Sequence, residues 1–205
     1  MRFAVLLGLL LSALQATPQL IYSKYFKGSK PESVVIVVEL SGAASYREGT
    51  EDDNPLHFQL SETEARQIFE LAGKLEHFQR PLESGLKVAN MGKKTFKFAD
   101  GDDVHEESFN YSIDPDAKEL NDWFERISET EQEFLELDST MHFDKLGVSR
   151  ALALIQITYD RKHLIAPQQF LPLLDRVSKN ESFLHIARTR AAALAEMFRG
   201  GTPQP

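Results

Sequence analysis

Alternating and β-branched residues in the first half of the chain predict a set of short strands. The β-branched run 33–39 lies between Pro31 and Ser41-Gly42, which is typical of a well-buried strand bounded by turns. The next segment, 43–48, is predicted to be its hairpin partner. Three further segments alternate between apolar and polar positions, at 56–60, 94–98 and 108–111.

Two helices are predicted between and after these strands. Ser61 and Glu64 form a capping-box pattern in front of apolar residues at helical spacing, so we expect a helix over 62–78. Asp114-Pro115 supplies a cap and a proline at the first helical position, and helical spacing then continues to about 138. The order of strands, helix, strands and helix predicts an α+β fold, in which helices pack on one face of an antiparallel sheet.

Beyond Phe143 the apolar spacing is helical throughout. It predicts about three helices, beginning near Val148, Pro167 and Leu184. We therefore expect an α+β domain at 17–143, a helical segment packed on it at 144–200, and a frayed tail at 201–205.

The N-terminus has the pattern of a signal peptide. Arg2 supplies a positive charge, and the apolar run 3–14 is too short to span a bilayer as a helix. Cleavage after Ala16 would remove residues 1–16 and release the protein to the periplasm or the medium, whereas an uncleaved anchor is the alternative. The chain contains no cysteine. An exported protein without disulfides fits a bacterial envelope better than a eukaryotic extracellular space.

Charge is distributed unevenly along the chain, whose net charge is −8. Residues 17–144 contain 27 acidic and 13 basic side chains, whereas residues 145–205 contain 4 acidic and 9 basic ones. Such asymmetry indicates either an interaction surface or two parts of one fold whose charges partly cancel. Nucleic-acid binding is not expected, because the mature chain is acidic. The candidate interaction surface consists of Arg176, Lys179, Arg188 and Arg190.

The stretch "DGDDVHEE" crowds acidic residues and a histidine between two alternating aromatic segments. Asp100-Gly101 at this place is a strong hairpin-turn signal. A calcium site through Asp100, Asp102 and Asp103 is the alternative, although no twelve-residue calcium-loop frame fits the spacing. His105 has no partner ligands at a useful spacing for zinc. We therefore expect a plain turn, with no metal and no cofactor.

The sequence does not contain the common catalytic motifs. There is no G-x-S-x-G, no H-E-x-x-H and no phosphate-binding loop of the required spacing. Four glutamates of the second helix, at 129, 131, 133 and 136, predict a solvated face. We expect a non-enzymatic binding or structural protein of the bacterial envelope, whose partner would be an envelope protein or a ligand. The alternative is a hydrolase whose carboxylates come from distant residues; two close carboxylates with opposed pKa shifts would favour it.

The segment 25–46 resembles the start of an uncharacterised bacterial family of exported domains, domain of unknown function 6438. The similarity extends over about residues 24–130 and does not cover the C-terminal helices. The family's usual cysteine pair is absent, with Ser29 and Lys30 near the place of one cysteine. The resemblance implies export and an α+β domain, and it implies no reaction. The residues that carry it are Phe26, Gly28, Pro31, Val35, Val37, Gly42 and Tyr46.

Overall fold

A computed structural model of the chain describes residues 17–49 and 54–200. The predicted signal peptide at 1–16 and the predicted tail at 201–205 lie outside the described residues.

The described residues contain a six-stranded antiparallel sheet with the strand order β4-β3-β2-β1-β5-β6. The predicted antiparallel sheet is confirmed, and the structure adds β1, a strand that the sequence pattern did not reveal. The strands are β1 (Gln19–Tyr25), β2 (Ser33–Glu39), β3 (Ala43–Glu48), β4 (Leu56–Gln59), β5 (Lys93–Asp100) and β6 (Asp103–Phe109).

In the described part of the chain five α-helices accompany the sheet, and the α+β class is confirmed. The first ends earlier than predicted, and a short 3₁₀ turn at Glu76–Phe78 follows it. The second is longer than predicted. The helices are α1 (Glu62–Lys74), α2 (Pro115–Phe143), α3 (Val148–Asp160), α4 (Leu171–Lys179) and α5 (His185–Gly200).

The predicted turn at Gly42 and the predicted caps of α1 and α2 are present. Gly42 joins β2 to β3 with a φ of +84°, and a Cβ there would lie 2.5 Å from the carbonyl oxygen of Leu60. Glycine is therefore needed at this position. The Ser61–Glu64 capping box is formed, and the Asp114 side chain accepts hydrogen bonds from the first turn of α2.

Strands β1, β2, β3 and β5 bury alternate residues on one face. Tyr22, Ile36 and Phe96 are at most 1% exposed and belong to one core with residues of α1 and of the first half of α2. The ring of Tyr22 stacks on that of Phe124 of α2, with centroids 4.8 Å apart. The helices therefore cover one face of the sheet, as the periodicity predicted.

A second core holds the C-terminal helices. It contains Leu137 and Met141 from the second half of α2, together with apolar residues of α3, α4 and α5. The 29 residues of α2 thus supply side chains to both cores. This shared helix connects the sheet to the helical segment. In the part of the chain that is described, no helix has the length and the apolar composition needed to cross a membrane.

Candidate functional site

A cleft of about 660 Å³ lies beside the middle of α2. Its lining comes from residues 24–34, from α2, and from α3 with the turn after it, so three regions distant in sequence form it. Its apolar wall consists of Phe26, Pro31, Val34, Ala151 and Leu154. Its polar and charged lining consists of Lys24, Ser29, Lys30, Asp122, Glu125, Arg126, Ser128, Glu129, Gln132, Glu133, Glu136 and His163.

Five carboxylates along α2 form an acidic stripe in this cleft: Asp122, Glu125, Glu129, Glu133 and Glu136. Consecutive members are three or four residues apart, a spacing that places side chains on one face of a helix. The stripe therefore follows from the helical period of α2. We call these five residues the acidic stripe.

Glu125 is neutralised by partners from β1. Lys24 Nζ donates to both of its carboxylate oxygens, at 2.9 and 2.7 Å, and the Tyr22 hydroxyl donates to Oε1 at 2.8 Å. Burial raises the pKa of Tyr22 well above its ordinary value, and the neighbouring charge of Glu125 adds to this shift. Tyr22 consequently acts as a neutral hydrogen-bond donor that fixes Glu125 at one end of the stripe.

Glu133 lies deeper than its neighbours in the stripe. Thr158 Oγ1 donates to its Oε1 at 2.6 Å, whereas its buried Oε2 has no partner among the described residues. Burial raises the pKa of Glu133 to about 7; the hydrogen bond from Thr158 opposes this shift, and the charge of Glu129 contributes to it. Near neutral pH, a large fraction of Glu133 is therefore protonated.

The remaining members of the stripe are more open to solvent. Glu129 Oε2 lies 3.7 Å from Nδ1 of His163, and both side chains are about half exposed. Asp122 and Glu136 are exposed and form no ion pair with another described residue. Two carboxylates of the stripe are thus available to a ligand.

The chain from Thr158 to Gln169 docks on the middle of α2 through polar contacts. Arg126 Nη2 donates to the carbonyl oxygen of Lys162 at 2.9 Å, and the Ile165 amide donates to Thr130 Oγ1 at 3.1 Å. Gln169 Nε2 donates to Glu131 Oε1 at 2.9 Å. Together with the Thr158–Glu133 hydrogen bond, these contacts hold the segment against α2.

Glu131 corrects the prediction of a solvated glutamate face. It is fully buried, and burial raises its pKa to about 7, while the hydrogen bond from Gln169 acts in the opposite direction. The segment that follows α3 covers this side of α2, which a helical period alone cannot reveal. Glu133 is also partly buried, contrary to the prediction, whereas Glu129 and Glu136 are exposed, as predicted.

The "DGDDVHEE" stretch forms a two-residue hairpin, so the predicted turn is confirmed. Asp100 pairs with Asp103 at the ends of β5 and β6, and Gly101 has a φ of +58°. Asp103 Oδ1 lies 2.6 Å from His105 Nε2. Within residues 17–49 and 54–200, no three His, Asp or Glu side chains stand together as a metal-binding group. The structure does not bring Asp100, Asp102 and Asp103 together as ligands.

The four basic residues of the candidate interaction surface lie on α4 and α5. Arg176 and Lys179 are exposed on α4. Arg190 Nη1 donates to the carbonyl oxygen of Ser149 at 3.1 Å, and the Nε of Arg188 is buried without a partner among the described residues. Arg190 therefore connects α5 to α3. A role for these residues in binding a partner stays a prediction.

Sequence reasoning did not identify the cleft, because its walls meet only in the folded chain. The available signal was the spacing of acidic residues on α2, which by itself also fits an ordinary exposed helix. No protein-family model matches the chain. A search of the curated proteins finds no similar protein. The resemblance of residues 24–130 to an exported domain family stays a prediction.

Proposed function

We propose that this protein is an exported bacterial binding protein whose cleft holds a positively charged ligand. The observation that carries the proposal is the acidic stripe, because it opens into a cleft of about 660 Å³ and leaves Asp122 and Glu136 without ion pairs among the described residues. A volume of this size falls within the usual range of ligand sites.

The charges of the cleft favour a cation over an anion. Five carboxylates face three permanently charged cations, and one of these, Lys24, is already bound to Glu125. Phe26 and Leu154, which are 36% and 42% exposed, supply apolar surface beside the charges. A short peptide that carries lysine or arginine, with aliphatic stems that can contact this surface, matches both properties.

Titration with tetralysine and tetraglutamate at 0.15 M salt tests the proposal, with binding measured by calorimetry. We expect tetralysine to bind and tetraglutamate not to bind. The double variant Asp122→Asn/Glu136→Gln should weaken tetralysine binding by roughly three- to tenfold, because each exposed ion pair contributes about 0.2–1 kcal/mol.

A matched control separates a site from general charge attraction. Glu106→Gln/Glu181→Gln removes the same number of charges at exposed positions outside the cleft, and we expect it to leave binding nearly unchanged. Equal weakening in both double variants, or no preference for tetralysine, would overturn the proposed cation site.

The export part of the proposal rests on the N-terminal sequence pattern. N-terminal sequencing of protein recovered from the periplasm or the medium of a bacterial host should show a chain that begins near Thr17. An intact Met1 on protein confined to the cytoplasm would refute it.

A hydrolase is the second candidate, and the raised pKa of Glu133 beside Glu129 favours it. A general acid must hold a proton near neutral pH, as Glu133 does, while an ionised partner could activate water. The carboxyls whose pKa is lowered, Glu83, Asp114 and Asp175, lie outside the cleft. The cleft therefore holds a candidate acid, whereas these three carboxyls lie elsewhere, which is why we place binding first.

Chromogenic glycosides and peptide anilides, assayed from pH 5 to 8, distinguish the hydrolase from the binding protein. Turnover that is lost in Glu133→Gln, is retained in Glu106→Gln and falls as the pH rises above about 7 would establish the hydrolase. No turnover in the unchanged protein would leave the binding proposal standing.

A further inference from the structure

Lys94 is a lysine buried on the inner face of the sheet. On β5 it shares that face with Phe96 and Phe98, and the whole residue is 6% exposed. Its Nζ donates to the backbone carbonyl of Asn110 at 3.0 Å and lies 5.9 Å from the ring centroid of Phe109. Lys94 forms no ion pair with any other described residue. An ammonium group in such surroundings loses much of its hydration.

Glu125, the carboxylate whose charge acts most strongly on Lys94, is already engaged elsewhere. Glu125 binds Lys24 through both carboxylate oxygens, and Lys24 lies directly opposite Lys94 in the pairing of β1 with β5. Burial lowers the pKa of Lys94, and the positive charge of Lys24 lowers it further; the charges of Glu125 and Glu83 act in the opposite direction. More of the amine is therefore neutral than in an exposed lysine.

Lys94 also lines a second cavity, of about 270 Å³, between β5, β6 and the start of α2. Met91, Phe109 and Tyr111 form apolar and aromatic walls, and Asn121 adds an amide. Lys118 lies over the ring of Tyr111, with Nζ 5.6 Å from its centroid. This cavity differs from the acidic cleft, although Asp122 and Glu125 border both.

We propose that Lys94 is a nucleophilic amine that binds small aldehydes or ketones covalently in this cavity. A desolvated lysine beside a second cation is an arrangement that activates amines towards carbonyl groups. The lone pair of the neutral Nζ attacks the carbonyl carbon, and the carbonyl oxygen leaves as water with both amine protons. A carbon–nitrogen double bond replaces the carbon–oxygen double bond, so no oxidant or reductant is needed.

The cavity limits which carbonyl compounds can react. A compound with a short aliphatic chain fits beside Met91 and Phe109, whereas an aldehyde carried on a dextran polymer cannot enter a cavity of about 270 Å³. The adjacent Lys93 is exposed and lies on the other face of the same strand. Lys93 therefore serves as an internal reference for the chemical reactivity of Lys94.

Reductive labelling of the unchanged protein tests the proposal. The protein is treated at pH 7 with butanal and cyanoborohydride, which reduces the imine to a stable secondary amine, and labelled lysines are quantified by peptide mass spectrometry. We expect Lys94 to react on the order of tenfold faster than Lys93. With a dextran polyaldehyde, which is too large for the cavity, Lys93 should react faster.

Two outcomes would overturn the proposal. If butanal labels Lys94 no faster than Lys93, the amine only caps the Asn110 carbonyl. If both aldehydes prefer Lys94, the cavity does not select the ligand. Lys94→Arg keeps the cation but removes the nucleophile, so butanal without reductant should raise the melting temperature of the unchanged protein and not that of this variant.

Discussion

Glu131 and Gln169 each have one buried side-chain oxygen without a partner among the described residues, although the two side chains share a hydrogen bond. A proton on Glu131 Oε2 would provide a donor for Gln169 Oε1 and complete a reciprocal acid–amide pair. Leaving such buried groups unsatisfied costs about 1–3 kcal/mol each. This geometry agrees with the raised pKa of Glu131.

The raised pKa values of Glu131 and Glu133 make the stability depend on pH. Each pKa rises from an ordinary 4.5 to about 7 on folding, so between these values the folded chain binds more protons than the unfolded chain. Their contribution to stability is therefore fully present below about pH 4.5 and is lost as the pH rises towards about 7.

Glu131→Gln should increase stability at pH 8. The amide of the new side chain can donate to Gln169 Oε1 and needs no proton, so the free energy of unfolding should rise by on the order of 2 kcal/mol. Urea unfolding at pH 5 and pH 8 measures the change, and the slope with pH should become smaller but persist in part through Glu133. Glu136→Gln, at an exposed position of the same helix, is the control; the same gain there would contradict the explanation.

The capping box of α1 gives a test at the scale of one element. Ser61 Oγ accepts from the Glu64 amide at 3.2 Å, and Glu64 Oε2 accepts from the Ser61 amide at 2.7 Å. Ser61→Ala should lower the free energy of unfolding by about 1 kcal/mol. Thr63→Ala, at an exposed position of the same turn, should change it by less than about 0.5 kcal/mol in urea unfolding. Equal losses would show that the cap is not the cause.

The elements differ in how much of them local sequence determines. The cap of α1 and the hairpin at Gly101 depend on residues within one turn, and both were predictable. β1 was not, because its place between β2 and β5 depends on pairs such as Tyr22 with Phe96, which are distant in sequence. The cleft was unpredictable for the same reason, since its walls are joined only by tertiary contacts.

At the scale of the whole molecule, the helical segment should be held to the sheet by apolar packing. Leu174 is fully buried in the second core, whereas Leu184 is 46% exposed. Leu174→Asp should lower the free energy of unfolding by on the order of 3 kcal/mol or more, because it places a charge in an apolar core. Leu184→Asp is the matched control and should have little effect.

Trp123 reports whether the two cores unfold together. It is the single tryptophan of the chain and belongs to the first core. If α2 couples the cores, Leu174→Asp should shift the urea midpoint seen by tryptophan fluorescence as far as the midpoint seen by circular dichroism. A fluorescence transition that stays unchanged would indicate independent domains.

Limited proteolysis near residues 144–147 checks the same coupling without a mutation. We expect no release of a stable fragment at low salt or at 1 M salt, because screening at 1 M affects charges beyond about 3 Å and leaves apolar contacts in place. A soluble, folded fragment ending near residue 144 would contradict this expectation.

The sharing of α2 between two cores has a consequence for the order in which the chain is made. Synthesis proceeds from the N-terminus, so the ribosome completes the sheet and α2 before α3, α4 and α5 exist. During that interval Leu137 and Met141 lack the apolar residues of α3, α4 and α5 that share their core in the finished protein. The nascent chain therefore exposes apolar side chains of α2. Chaperones that bind exposed apolar segments should bind it until the last helix has emerged.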